Sequence, residues 1–218
     1  MASDADLERA RRALADDELV VYPTETVYGL GADARSSGAV GAVFEAKGRD
    51  RADPISFAVP DLDVAERYVS LSERERRFAR AFLPGPVTLV TARREGRDPE
   101  SGRVPRDSGG NGAGLLADEL TGGRSRVGLR IPDHGRALAL LEAVAPMPVT
   151  ATSANVSGRP SPRTVEALDA GIRDAAAVVL DGGETPGGAS TVVDVQEGRI
   201  IRPGREADAV ERWLDDEG

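Results

Sequence analysis

Short apolar runs alternate with stretches of helical periodicity along this chain, but not in strict order, and two apolar runs lie close together near its end. That ordering constrains the fold more than any single motif. Apolar runs bounded by turn residues read as strands, and apolar positions recurring every three to four residues read as helices. Strands are expected at residues 19–22, 55–59, 87–92, 127–131, 148–151, 177–180, 191–195 and 199–201. Helices are expected around Leu7, Ala10 and Leu14, around Val40, Val43 and Phe44, and from Ser72 to about Phe82. Others are expected around Leu138, Leu141 and Val144, from Thr164 to Ile172, and around Val210, Trp213 and Leu214. Irregular alternation with paired strands late in the chain implies an α/β fold on one sheet of mixed strand direction.

The boundaries carry their own signals. Ser36 or Ser37 can cap the second helix, which ends near Lys47-Gly48. Ser72, with Glu75 three residues on, makes a capping box, and Pro84-Gly85-Pro86 closes that helix. Asp133 can cap the helix after it. Residues from about 93 to 124 are rich in Gly, Arg, Asp and Ser and read as an inserted flexible loop. They sit inside a single domain spanning 1–218, with its core at about 5–205. The glycine spacing of that loop does not fit a dinucleotide-binding turn.

Composition removes whole classes of chemistry. There is no cysteine, so disulfides, thiolate zinc sites and cysteine nucleophiles are excluded. The one histidine, His134, rules out a histidine-rich metal site, and its place at a helix start suits a capping or surface role. A net charge of −9 argues against a large nucleic-acid footprint, which needs a basic face. It leaves room for a local basic cleft. The N-terminal stretch MASDADLERARRALADDE is charged and amphipathic with no apolar signal core, and no run approaches a membrane span. A cytoplasmic protein with no membrane partner is expected.

Among 28 lysines and arginines only Lys47 is a lysine. Lysine offers a compact ammonium, arginine a planar fork, so a lone lysine points to a place that needs the former. It belongs to Lys47-Gly48-Arg49-Asp50-Arg51-Ala52-Asp53-Pro54, which reads either as a polyphosphate clamp or as a solvated charge run. Three more polar clusters fall at element ends, where open α/β sheets bind ligands. In Tyr22–Gly31 the hydroxyls of Thr24, Thr26 and Tyr28 alternate, so in an extended segment they share a face. Thr150–Gly158, followed by Ser161, can hold a nucleotide through neutral hydrogen bonds from Ser153 and Asn155. Gly188–Asp194 contributes Ser190, and Ile201–Gly204 contributes Arg202. Arg126 and Arg130 share a strand face, where Arg130 reaches an anion or makes a structural ion pair.

Taken in order, PTETVYGLGADA, KGR with Pro54, PGPVTLV, VGLRIPDH, TSANVSG with PSP, STVVD and IRPG resemble the YrdC-type threonylcarbamoyl-AMP synthase family over about residues 18–205. The resemblance implies a single-domain, twisted open mixed sheet with flanking helices and a large concave cavity. It implies an L-threonylcarbamoyladenylate synthase, a nucleotidyltransferase that condenses L-threonine, bicarbonate or carbon dioxide, and ATP. A separate transferase would then pass the threonylcarbamoyl group to tRNA. By the same resemblance Thr24, Thr26, Tyr28, Arg130 and Ser190 would bind threonine. Lys47 and Arg49 would contact the triphosphate as the catalytic pair, and Ser153, Asn155, Ser161 and Arg202 would hold the nucleotide. Mg2+ is expected with ATP, and no metal held by protein ligands. Asp53, Ala58 and Arg126 depart from the family pattern. The extra C-terminal domain of some relatives is not expected here. The competing expectation is a non-catalytic module binding tRNA or double-stranded RNA, which the acidic composition and scarce aromatics disfavour.

Overall fold

The computed structural model describes residues 4–94 and 115–217. In chain order its elements are α1 (Asp4–Ala15), β1 (Leu19–Tyr22), β2 (Gly29–Gly31), α2 (Ser37–Lys47), β3 (Ser56–Ala58), α3 (Leu62–Ala65), β4 (Val69–Ser70), α4 (Glu73–Phe82) and β5 (Val87–Arg93). There follow α5 (Asp118–Thr121), β6 (Arg126–Arg130), α6 (Gly135–Val144), β7 (Val149–Ser153), α7 (Ala170–Ala175), β8 (Ala176–Val179), β9 (Thr191–Asp194), β10 (Arg199–Arg202) and α8 (Ala207–Asp216). The strands form one sheet in the order β10-β9-β5-β6-β3-β7-β2-β1-β8, with β4 paired to β5 off that path. Parallel pairs (β1 with β8, β3 with β6, β5 with β9) alternate with antiparallel ones, so the mixed sheet expected from the ordering is present.

Strand periodicity explains how this sheet makes both a core and a cavity. Odd and even residues of a strand point to opposite faces. Val21, Phe57, Leu89, Leu129 and Val193 all point to one face and join a single buried apolar cluster with Val40, Val43, Phe44 and Phe78 from the helices. On the opposite face, Val20, Tyr22 and Val149 are buried against Leu14 of α1 and Leu140 and Leu141 of α6. Further along that same face, Ser56, Thr88, Gly128, Arg130, Val192 and Asp194 meet a cavity instead of a helix. The site is the part of the sheet that α1 and α6 do not cover.

Most local signals act as read. Ser36 caps α2, and Gly48 ends it at φ 54°, a left-handed conformation that a side chain disfavours. Ser72 and Glu75 close the capping box of α4. Two signals do not. His134, not Asp133, is the N-cap residue of α6, and no side chain caps that helix. The helix expected at 164–172 is the shorter α7. Asp169, its N-cap residue, makes no side-chain cap because its carboxylate accepts from Val156 N at 3.1 Å and Arg159 Nη1 at 2.6 Å, tying the start of α7 to the segment after β7. The expected loop at about 93–124 lies largely outside the described residues, and its described end contains α5.

Candidate active site

The cavity has a volume of about 740 Å³. Eight of the residues singled out from the sequence line it together: Thr24, Thr26, Arg49, Arg130, Ser153, Ser161, Ser190 and Arg202. They come from six separate stretches of chain, so only the fold brings them together. Thr24 Oγ1 and Thr26 Oγ1 are 2.9 Å apart, and Thr24 Oγ1 donates to Val27 O at 2.6 Å. This local bonding replaces a regular strand and fixes both hydroxyls at the cavity wall. Across the cavity Ser190 Oγ is 3.0 Å from Thr88 Oγ1, and Arg202 Nη2 donates to Ser190 Oγ at 3.1 Å.

Arginine dominates the charge. Besides Arg49, Arg130 and Arg202, the lining includes Arg124, Arg126, Arg163 and Arg199. Three of these are answered by carboxylates: Arg126 by Asp194 at 2.8 Å, Arg163 by Glu184 at 2.8 Å, and Arg130 by Glu25. Arg49 is held by the carbonyls of Asp53 and Pro54 at 3.2 Å, and Arg124 by that of Ala52 at 3.2 Å. Neither they nor Arg202 has a carboxylate partner among the described residues. Burial, then the charges of Arg130 and Arg49, push the Arg202 guanidinium below its ordinary pKa. Positive charge held this close and unanswered is an anion site.

Three of the expected site residues do not line the cavity. Lys47 is only 2% exposed and does not line the cavity. Its ammonium donates to the carbonyls of Ser153 and Asn155, the latter at 2.7 Å, while its own carbonyl accepts from Ser157 N at 2.8 Å. Lysine was the right choice because a compact ammonium fits under a tight turn where a guanidinium fork does not. It braces from beneath the segment that carries Ser153 and Ser161. Burial, then the charge of Arg49, pushes the ammonium pKa down to about 8, against the opposing pull of Asp169.

Asn155 is likewise behind the wall. Its Oδ1 accepts from Ser153 Oγ and, at 3.5 Å, from Ser161 Oγ, so it aligns two lining hydroxyls. Tyr28 is buried away from the cavity, donating to Gly183 O at 2.8 Å and accepting from Gly182 N at 2.9 Å. For Tyr28 the expected alternation with Thr24 and Thr26 is broken by the turn that Thr24 Oγ1 closes on Val27 O, so its side chain points into the protein.

Among the positions that depart from the family pattern, Ala58 and Arg126 line the cavity, and Asp53 contributes only its carbonyl. Sequence reading missed Thr88, Arg124, Arg163 and Arg199. Arg163 directly follows the PSP motif, and Arg199 opens the strand that ends in Arg202, so adjacency to a motif was the available signal. Among the described residues no three His, Asp or Glu side chains gather as a metal site, and no helix is long and apolar enough to cross a membrane.

Comparison with known proteins shows the family. The Sua5/YciO/YrdC family, described as telomere recombination, matches residues 12–204. A threonylcarbamoyl-AMP synthase of Pyrococcus abyssi is 37% identical over 88% of this chain and 52% of its own length. One from Bacillus subtilis is 33% identical over 93% of this chain and 54% of its own. The crystal structure of P. abyssi Sua5 complexed with L-threonine superimposes with a TM-score of 0.78 at 33% identity, covering 94% of this chain and 55% of that one. The chain thus spans about half the length of these relatives.

Proposed function

The chain belongs to the Sua5/YciO/YrdC family, and from that premise we propose that it is an L-threonylcarbamoyladenylate synthase acting in the cytoplasm. The observation that carries the reading is the cavity itself. Unanswered arginines at Arg49, Arg124 and Arg202 share it with small hydroxyls at Thr24, Thr26 and Ser190. The arginines suit a polyphosphate, and the hydroxyls suit a small polar amino acid beside it. The cations line a recess in a chain of net charge −9, which favours a small anion over an RNA backbone.

In the proposed reaction the amine of L-threonine attacks the carbon of carbon dioxide, forming the N–C bond and losing a proton to solvent or bicarbonate. If bicarbonate is the species bound, the same step releases water. A carbamate oxygen then attacks the α-phosphorus of ATP. The bond from that phosphorus to the bridging oxygen breaks, and pyrophosphate leaves. No covalent enzyme intermediate is required, so the protein contributes alignment and charge stabilisation. Thr24, Thr26, Ser190 and Arg130 would hold threonine. Arg202, Arg49, Ser153 and Ser161 would hold the nucleotide, with Lys47 and Asn155 positioning the two serines. The contact between Ser190 and Arg202 supports an edge-to-edge arrangement of the two halves, which attack on the α-phosphorus needs. ATP would enter as its Mg2+ complex, with the cation on the phosphates. A separate transferase would consume the labile product to modify tRNA.

The test is pyrophosphate release by the purified chain with MgATP, with threonine and bicarbonate supplied singly and together. Release that needs both supports the reading. Release that ignores threonine, or none from well-folded protein, contradicts it.

A further inference from the structure

We propose that Glu25 sets the ligand specificity of the Arg130 subsite, so that it accepts an amino-acid zwitterion and rejects a phosphate group. The inference rests on the reading of the cavity as a site for threonine and ATP. Three arginines, Arg49, Arg130 and Arg202, line one recess, and one proposed ligand is a polyanion. Nothing in a guanidinium by itself tells a carboxylate from a phosphate, since its fork matches both.

Glu25 makes the difference between them. It lies between Thr24 and Thr26, and its side chain is 10% exposed against 12% for Arg130. Oε1 accepts from Arg130 Nη2, which is the one hydrogen bond that Arg130 makes among the described residues. The remaining donors of Arg130 are therefore uncommitted at the cavity wall. Among the described residues Arg49 and Arg202 meet no carboxylate, only main-chain carbonyls and the Ser190 hydroxyl. Glu25 thus sets Arg130 apart from Arg49 and Arg202, as the one of the three with a carboxylate partner.

The electrostatic consequence follows from ligand charge. A zwitterion brings one carboxylate to the free donors of Arg130 and carries its own ammonium, so it has no net charge for Glu25 to repel. A phosphate brings about two negative charges with no offset, and repulsion by a poorly hydrated carboxylate is strong. Glu25 Oε2 is buried with no partner, which folding alone does not favour. A carboxylate retained at that cost beside a binding cavity fits a role in selection better than one in stability.

The test uses binding, not turnover, with inorganic pyrophosphate as the probe. Glu25→Gln keeps the shape and the oxygen that accepts from Arg130 but removes the charge. At fixed ionic strength, calorimetry should show pyrophosphate binding Glu25→Gln at least roughly ten-fold tighter than the unmodified protein, with threonine then competing against it. Unchanged pyrophosphate affinity in a Glu25→Gln protein with a normal melting transition would overturn the proposal. The double variant Glu25→Gln/Arg130→Gln gives an independent reading should Glu25→Gln fail to fold. If Glu25 already cancels Arg130, removing both charges leaves pyrophosphate affinity within about two-fold of the unmodified protein, and a ten-fold loss overturns the proposal. Because pyrophosphate binding needs no catalysis, this outcome is separable from that of the synthase assay.

Discussion

The ammonium of Lys47 donates to the main-chain carbonyl of Asn155 at 2.7 Å, so the one lysine of this chain is built into the floor beneath the cavity. A second bond to Ser153 O and the return bond from Ser157 N to Lys47 O make it a brace for the whole segment after β7. Two lining hydroxyls, Ser153 and Ser161, depend on that brace through Asn155. Lys47→Met should therefore cost stability as well as function. Removing a charged donor from two buried carbonyls should lower unfolding free energy by about 2–4 kcal/mol. KM for ATP should rise more than KM for threonine. Denaturant unfolding and steady-state kinetics on the same preparation check both. A variant of unchanged stability that simply fails to bind ATP would put the ammonium back at the phosphates.

The same burial predicts a pH dependence of stability. The folded Lys47 pKa, about 8, lies below the ordinary 10.5. Between those values the unfolded chain holds more protons than the native one, so stability rises with pH across that window. Below about pH 8 the full cost of charging the buried amine is present. Relative to Lys47→Met, the unmodified protein should gain unfolding free energy between pH 8 and 10.5, and a flat difference would contradict the assignment.

Arg202 sits where the two proposed subsites meet. Arg202→Gln should raise KM for ATP roughly 10- to 100-fold, the worth of a charge-assisted hydrogen bond, with a smaller effect on threonine. Equal effects on both substrates would instead mean that Arg202 acts through Ser190. Competition binding with a non-hydrolysable ATP analogue distinguishes the two.

Thr26→Val removes a cavity-wall hydroxyl at almost constant volume. KM for threonine should increase about ten-fold while KM for ATP stays within two-fold. The reverse pattern would reassign the Thr24–Thr26 wall to the nucleotide.

Gly128 lies in the cavity floor on β6, and a Cβ there would collide with Ser56 Oγ and lie 2.9 Å from Thr88 Cγ2. Gly128→Ala should destabilise by about 1–3 kcal/mol and displace Thr88, the partner of Ser190. Thermal unfolding reads the first effect, and KM for threonine the second.

How far the sequence carried can be judged from individual residues. Arg126–Arg130 was legible because its alternation is clean, and Val87–Arg93 because an apolar run follows the break at Pro84-Gly85-Pro86. The buried Val127 and Leu129 made the facing of Arg126 and Arg130 legible too. The capping box at Ser72 needs only local geometry, so it could be read directly. That Tyr28 and Lys47 lie off the cavity lining was not legible, for one reason. Their chemistry was visible, but which side of a turn a side chain takes depends on contacts 100 or more residues away, at Gly183 and Asn155. The strand at Gly29–Gly31 had no signal because glycine has no side chain to alternate. Glu25 was present in the PTETVYGLG motif but said nothing until Arg130 was seen beside it.

The central claim is that this cavity joins threonine, one inorganic carbon and adenylate. The most direct measurement supplies 13C-bicarbonate with MgATP and L-threonine and weighs the nucleotide product by mass spectrometry, quenching early. The account predicts threonylcarbamoyl-adenylate carrying one heavy carbon, lost when either threonine or bicarbonate is withheld. An adenylate without the heavy carbon, or ATP consumed with no threonine-dependent adduct, would contradict it.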